Sequence, residues 1–69
     1  MSYSVKLSFL DMAHLLPYLK QPNGVTFGEV VCNAFGAYEY RNLEKHGYVN
    51  GAEFFFENEE DCTKLMMLL

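Results

Sequence analysis

The sequence is poor in the features that mark several large classes of function. It has no tryptophan, five basic residues against nine acidic ones, and a formal net charge of −4. Because nucleic-acid backbones and anionic membranes are bound by clustered lysine and arginine, direct binding to either is not expected. No apolar run reaches the roughly 18 residues that a membrane span requires, and the N-terminus lacks a secretory-signal pattern. We therefore expect a cytoplasmic protein.

Cysteine and histidine are also scarce, which argues against a disulfide framework and against a structural zinc site. With two cysteines and no secretory signal, both thiols are interpreted as reduced and buried. Structural zinc sites bring their ligands in close pairs. The four candidate ligands are instead spread along the chain: His14, Cys32, His46 and Cys62. The glycines lack the spacing of a phosphate-binding loop, so no metal or cofactor is expected.

No catalytic residue is predicted. A cysteine nucleophile needs a base within hydrogen-bond reach, and Cys32 and His46 would lie about 21 Å apart on the helix predicted below. Glu53 and Glu57 would lie about 13 Å apart along a strand, too far for the paired carboxylates of a glycosidase. The sequence therefore predicts a protein that is not an enzyme.

What the chain does contain is apolar surface. Hydrophobic residues make up 51% of it, including six phenylalanines and five tyrosines. This composition predicts a folded chain, since disordered segments lack the apolar surface that offsets chain entropy. A length of 69 residues predicts a single domain, residues 1–69, with a small core. Self-association or a partner would enlarge that core.

The first half of the chain shows a strand followed by a short helix. Residues 2–10 alternate apolar and polar side chains, the pattern of a half-buried strand. Asp11 is predicted to cap a helix that Pro17 breaks, because proline removes a backbone donor and clashes with the preceding turn. Residues 21–24, QPNG, predict a turn.

The clearest helix signals fall between residues 27 and 46. Thr26 with Glu29 forms a capping box, and Gly47 follows a basic C-terminal stop, so one long central helix is predicted to pack on the sheet. Its opposite side carries a second, weaker apolar stripe of four residues: Cys32, Gly36, Tyr40 and Leu43. We interpret this stripe as a helix-to-helix contact, in a homodimer or with a different protein; the alternative is surface residues without a contact.

The last third predicts a strand and a final helix. Asn50 and Gly51 predict a tight turn, and residues 52–57 a strand. Alternation puts three residues on its core face: Ala52, Phe54 and Phe56. Asn58 is predicted to cap the final helix, whose dipole favours acids in its first turn. The apolar stripe of that helix is predicted to be Cys62, Leu65, Met66 and Leu69.

Five of the nine acids lie between residues 53 and 61. The helix dipole accounts for the last three, but not for Glu53 and Glu57, which flank Phe55 on the outward strand face. An aromatic ringed by polar groups is typical of an interface hot spot. The predicted surface for a basic protein partner is Glu53, Phe55, Glu57, Glu59, Glu60 and Asp61. The alternative is that these acids only solubilise the protein.

The ending FFFENEEDCTKLMML, residues 54–68, resembles the strand-to-helix ending of small accessory proteins of tailed phages and other mobile elements. The resemblance implies a small α+β protein, located in the host cytoplasm if phage-encoded, that binds and modulates a host factor and has no chemistry of its own.

Together these patterns predict a single α+β domain in the order β-α-α-β-α, with a long central helix packed on a small sheet. The first functional hypothesis is an acidic, non-catalytic binding module that inhibits or modulates a basic host protein, including one that handles nucleic acid. The alternative is a self-assembling structural or adaptor subunit. A small metal- or ligand-binding enzyme is the third hypothesis.

Overall fold

The strands of this protein pair so that the last one in the chain lies in the middle of the sheet. The computed structural model describes residues 2–20 and 22–69. Its elements are β1 (Tyr3–Ser8), α1 (Phe9–Leu15), a 3-10 turn (Leu16–Tyr18), α2 (Phe27–Phe35), β2 (Glu39–Lys45), β3 (Tyr48–Phe56) and α3 (Glu59–Met66). The three strands form an antiparallel sheet in the order β1-β3-β2. The predicted α+β class is confirmed, but the observed order is β-α-α-β-β-α.

The hydrophobic core lies between one face of this sheet and the helices. Ala52, Phe54 and Phe56 of β3 are buried there, which confirms the predicted alternation. Each helix contributes to the same core: Leu15 from α1, Val31 from α2, and Cys62 and Leu65 from α3. Because all three helices cover one face, the opposite face of the sheet carries no helix within the described residues. We call it the open face.

The predicted long helix 27–46 is wrong, because α2 ends at Phe35. Gly36 follows with a φ of +82°, and its N–H donates to the carbonyl oxygen of Cys32. A left-handed glycine after the last turn is a common helix stop, since no Cβ opposes this conformation. The chain then reverses and enters β2 as an edge strand paired with β3.

The two turn signals near the end of β2 also need correction. His46 and Gly47, predicted to stop a helix, connect β2 to β3 with φ values of 55° and 80°. Two consecutive positive φ angles are typical of a tight hairpin turn. Asn50 and Gly51, predicted as that turn, lie inside β3. Asn50 is the extra residue of an irregular register, because Leu43 pairs with Gly51 while Glu44 pairs with Val49.

The predicted first helix is short, as expected, but its cap is different. Ser8 Oγ accepts a hydrogen bond from the Asp11 N–H at 3.2 Å, and Asp11 Oδ2 accepts one from the Ser8 N–H at 3.1 Å. This reciprocal capping box starts α1 three residues earlier than predicted and ends β1 at Ser8. Pro17 lies in the 3-10 turn that ends the helix. The predicted turn at 21–24 is present at Asn23 and Gly24, while Gln21 lies outside the described residues.

The cap of the last helix is confirmed. Asn58 Oδ1 accepts a hydrogen bond from the Glu60 N–H at 2.9 Å, and α3 begins at the next residue. Cys62 and Leu65 are buried as predicted. Met66 and Leu69, which the same stripe placed in the core, are exposed. Leu69 lies beyond the helix, which ends at Met66, and Leu68 packs against the core instead.

Candidate protein-binding surface

An aromatic pair lies on the open face of the sheet, where β3 ends. Phe55 is half-buried, and by register it lies between Ser4 of β1 and Glu39 of β2. Tyr38, just before β2, donates its backbone N–H to the Phe55 carbonyl oxygen at 2.9 Å. The two ring centroids are 6.4 Å apart and the Tyr38 side chain is 51% exposed. The backbone thus holds an aromatic ring against the sheet while leaving half of it in solvent.

Glu53 does not belong to the accessible part of this surface, which corrects its predicted place in the partner-binding surface. It is 7% exposed, and by register it lies between Lys6 and Arg41. Its Oε1 accepts a hydrogen bond from Arg41 Nη2 at 2.8 Å. This bond lowers the pKa of the Glu53 carboxyl, and Ser4 and Lys6 lower it further against the opposing effect of burial. Glu53 therefore ties β3 to β2.

The remaining predicted acids fall into two groups. Glu57, Glu59 and Glu60 are exposed where β3 passes into α3. Within residues 2–20 and 22–69, Arg41 and Glu53 form the single ion pair, so these three carboxylates have no internal cationic partner. Asp61 is half-buried, and a Cβ added at Gly36 would lie 2.9 Å from its Oδ2. Asp61 therefore faces the end of α2.

We call five residues the acidic aromatic surface: Tyr38, Phe55, Glu57, Glu59 and Glu60. Aromatic faces attract cations, and arginine stacks on them more readily than lysine does. Exposed carboxylates raise the rate at which a cationic partner is encountered. This combination suits a basic protein segment with an arginine or an apolar side chain at its centre. Tyr38 was not predicted as part of this surface, because the sequence pattern assigned it to the long helix.

The predicted dimer interface does not form a helix face. Cys32 lies on α2, Gly36 ends that helix, and Tyr40 and Leu43 lie on β2. Tyr40 stacks on Phe54 with ring centroids 5.9 Å apart, so its ring belongs to the edge of the core. The predicted helix-to-helix contact is therefore wrong in its geometry. Cys32 and Tyr40 nevertheless line one groove between α2 and β2, whereas Leu43 lies on the opposite face of the sheet from Tyr40.

A second exposed surface, missed by the sequence reasoning, lies on α1. Leu10 is 69% exposed and Leu16 54% exposed. A groove of about 240 Å³ between α1 and α2 is lined by Phe9, Met12, Ala13, Leu16 and Phe27. We call it the apolar groove. The signal that could have revealed it is the segment FLDMAHLL, residues 9–16, which is apolar on more sides than a short helix can bury.

The described part of the chain shows no feature that favours a cysteine nucleophile or a metal site. Burial raises the pKa of both thiols, Cys32 and Cys62, and the nearby carboxylates of Glu29 and Glu59 add to it. A thiol with a raised pKa is a poor nucleophile, because the thiolate is the reactive form. Residues 2–20 and 22–69 contain no group of three or more His, Cys, Asp or Glu side chains placed to hold a metal ion.

Comparisons with protein-family models, with curated proteins and with solved structures found no significant match to this chain. No helix within the described ranges is long and apolar enough to cross a lipid bilayer. The function is therefore inferred from the protein's own surfaces.

Proposed function

We propose that this protein is a small acidic, non-catalytic binding module that inhibits or modulates a basic partner protein, including one that handles nucleic acid. The observation that carries the proposal is the Tyr38–Phe55 pair on the open face, beside carboxylates that lack an internal cationic partner. A sheet face without a covering helix normally carries polar residues, and an aromatic pair there is available for contact.

The two kinds of residue have different tasks in such a contact. The rings of Tyr38 and Phe55 supply area that leaves water on binding, and a buried aromatic at the centre of an interface carries much of its affinity. The carboxylates of Glu57, Glu59 and Glu60 follow Phe55 in the chain, where β3 passes into α3, and act over a longer range, chiefly on the rate of association. Glu53 contributes by fixing β2 against β3, which places Tyr38 beside Phe55.

The test begins with affinity capture from a lysate, using the parent protein and the Tyr38→Ala variant as matched baits. We expect basic proteins to be captured by the parent and lost with Tyr38→Ala, because its ring is half exposed and supports no core contact. Tyr48→Ala is the control, since it removes the same kind of side chain at an exposed position at the opposite end of β3. Identical captured proteins for all three baits would refute the proposal.

With a partner identified, association and dissociation rates separate the two tasks. Glu57→Lys should slow association and weaken its salt dependence, whereas Tyr38→Ala should mainly speed dissociation. Glu44→Lys changes an exposed acid on β2 by the same charge and serves as the control. Equal effects of Glu57→Lys and Glu44→Lys would show that net charge alone matters.

The second candidate, a self-assembling or adaptor subunit, is favoured by the apolar groove. The groove continues to Val49 and Gly51 of β3, whereas the acidic aromatic surface lies at the opposite end of that strand. A protein with two separate contact surfaces can join two others. Under this alternative, Leu16→Glu would abolish assembly, because Leu16 lines the groove and is exposed, whereas Tyr38→Ala would leave it intact.

A further inference from the structure

We infer that β2 is a self-pairing edge, through which two copies of this chain join into one continuous six-stranded antiparallel sheet centred on Asn42. β2 runs for seven residues at the edge of the sheet, with β3 on one side. The part of the chain that the structure describes places no strand on its other side. The extra residue of the irregular register, Asn50, lies in β3 and not in β2. An edge strand of this length presents backbone donors and acceptors to another strand.

When β2 pairs with an antiparallel copy of itself, the charges at its two ends face charges of the opposite sign. Asn42 is the midpoint of β2, so antiparallel pairing about it places Glu39 opposite Lys45 of the second copy, and the two-fold axis repeats the pair. Arg41 then lies opposite Leu43 of the second copy. Opposite charges directly across an antiparallel pair are favourable, while like charges are unfavourable. The strand ends therefore attract in this register.

Registers displaced by one or two residues are less favourable. A slip of two residues in one direction places Arg41 opposite Arg41 of the second copy. The same slip in the other direction places Arg41 opposite Lys45. Both bring cations together. A slip of one residue would put the core-side residues of one copy on the open face of the other. The pairing centred on Asn42 alone among these registers combines a continuous core face with attractive end charges.

The other edge strand does not have this property. β1 has the sequence YSVKLS, in which Lys6 is the single charged side chain, so pairing of β1 with itself brings no opposite charges together. Edge strands of monomeric proteins often carry charges that prevent pairing, and β2 carries four. In β2 the charges at the two ends are opposite in sign, so β2 differs from an edge strand whose charges only prevent pairing.

The side of the molecule that carries β2 also has a groove. A groove of about 380 Å³ runs between α2 and the start of β2, with Cys32 and Tyr40 in its lining. In the register centred on Asn42, paired residues lie on the same face, so both helix layers share one side of the sheet and the two α2 helices approach each other across the axis. Cys32 and Tyr40, predicted at a dimer interface from the sequence, then lie near that axis.

Charge exchange tests this inference. Sedimentation velocity over a wide concentration range should show a dimer of the 8.0 kDa chain. Glu39→Lys and Lys45→Glu should each raise the dimer dissociation constant about tenfold, because two attractive pairs become repulsive. The double variant Glu39→Lys/Lys45→Glu restores opposite charges across the axis and should dimerise like the parent. Circular dichroism confirms that each variant is folded.

Matched controls distinguish the effect of net charge on the dimer from the effect of strand pairing. Lys20→Glu and Lys64→Glu change the charge as Lys45→Glu does, at exposed positions away from β2, and should leave the dimer intact. A monomer at every concentration, a dimer insensitive to the single changes, or a double variant that fails to recover would each overturn the inference. Glu39 lies opposite Phe55 and so borders the acidic aromatic surface. The double variant therefore separates the two results, because recovery of the dimer depends on pairing across β2 and not on a basic partner.

Discussion

Replacing Gly28 with alanine should destabilise the protein, although helix propensity alone predicts the opposite. Gly28 lies in the first turn of α2, where the Tyr40 ring passes across the helix. A Cβ at this position would lie within 2.6 Å of three atoms of that ring. The ring is not free to move without loss, since it stacks on Phe54 and its hydroxyl hydrogen-bonds Thr26 Oγ1 at 3.0 Å.

The magnitude follows from comparing these effects. Alanine gains up to about 1 kcal/mol over glycine in a helix interior. Displacing the ring loses the stacking, worth about 0.5–1.5 kcal/mol, and the hydroxyl hydrogen bond, worth a similar amount. If the ring stays in place, overpacking costs about 1–3 kcal/mol instead. Gly28→Ala should therefore lower the free energy of unfolding by about 1–2 kcal/mol.

Urea denaturation followed by circular dichroism, at one fixed protein concentration, measures this difference. The informative comparison is the same change in a Tyr40→Ala background, where the obstructing ring is absent. There, Gly28→Ala should be neutral or stabilising, and the coupling between the two sites should appear as non-additivity. If Gly28→Ala stabilises the parent, or has the same effect in both backgrounds, the close approach of α2 to β2 at this residue is refuted.

Two further predictions concern the ion pair and the caps. Glu53→Gln should lower stability at neutral pH. Because Arg41 lowers the folded-state pKa of Glu53, the carboxylate stabilises the fold above its unfolded pKa of roughly 4.3, and this is lost as the pH falls through the folded pKa. The gap between parent and variant should close on acidification; a constant gap would contradict the pairing. Ser8→Ala and Asn58→Ala should each cost about 0.5–2 kcal/mol, and an unchanged urea midpoint would show that the cap in question does not form.

The parts of the fold that the sequence predicted correctly are those decided by neighbouring residues. The alternation of β3 identified Ala52, Phe54 and Phe56 as core residues, because a strand places successive side chains on opposite faces. Asn58 was predicted as a cap from its residue type, and its side chain accepts a hydrogen bond from the N–H two residues later. Pro17 was expected to shorten the first helix, and α1 ends at Leu15. None of these outcomes depends on distant parts of the chain.

The errors arose where distant pairing decides the structure. Residues 39–45 are compatible with a helix by composition, and they form a strand because β3 offers an edge to pair with. The ion pair between Arg41 and Glu53 joins residues twelve positions apart, so it could not be predicted while Arg41 was assigned to a helix. The local signal that was underweighted is Gly36, a glycine at the end of an apolar helical stripe.

Gly36 determines more of this molecule than its own turn. By ending α2 in a left-handed conformation, it sends the chain back along β3, which brings Tyr38 beside Phe55 and makes β2 an edge. A longer helix would have produced neither the acidic aromatic surface nor the self-pairing edge. A substitution at Gly36 would therefore disturb both surfaces at once and could not distinguish binding from dimerisation. Tyr38→Ala leaves the charges of β2 unchanged, and Lys45→Glu leaves the Tyr38 and Phe55 rings unchanged. Capture of a partner by the first variant and sedimentation of the second therefore distinguish binding from dimerisation.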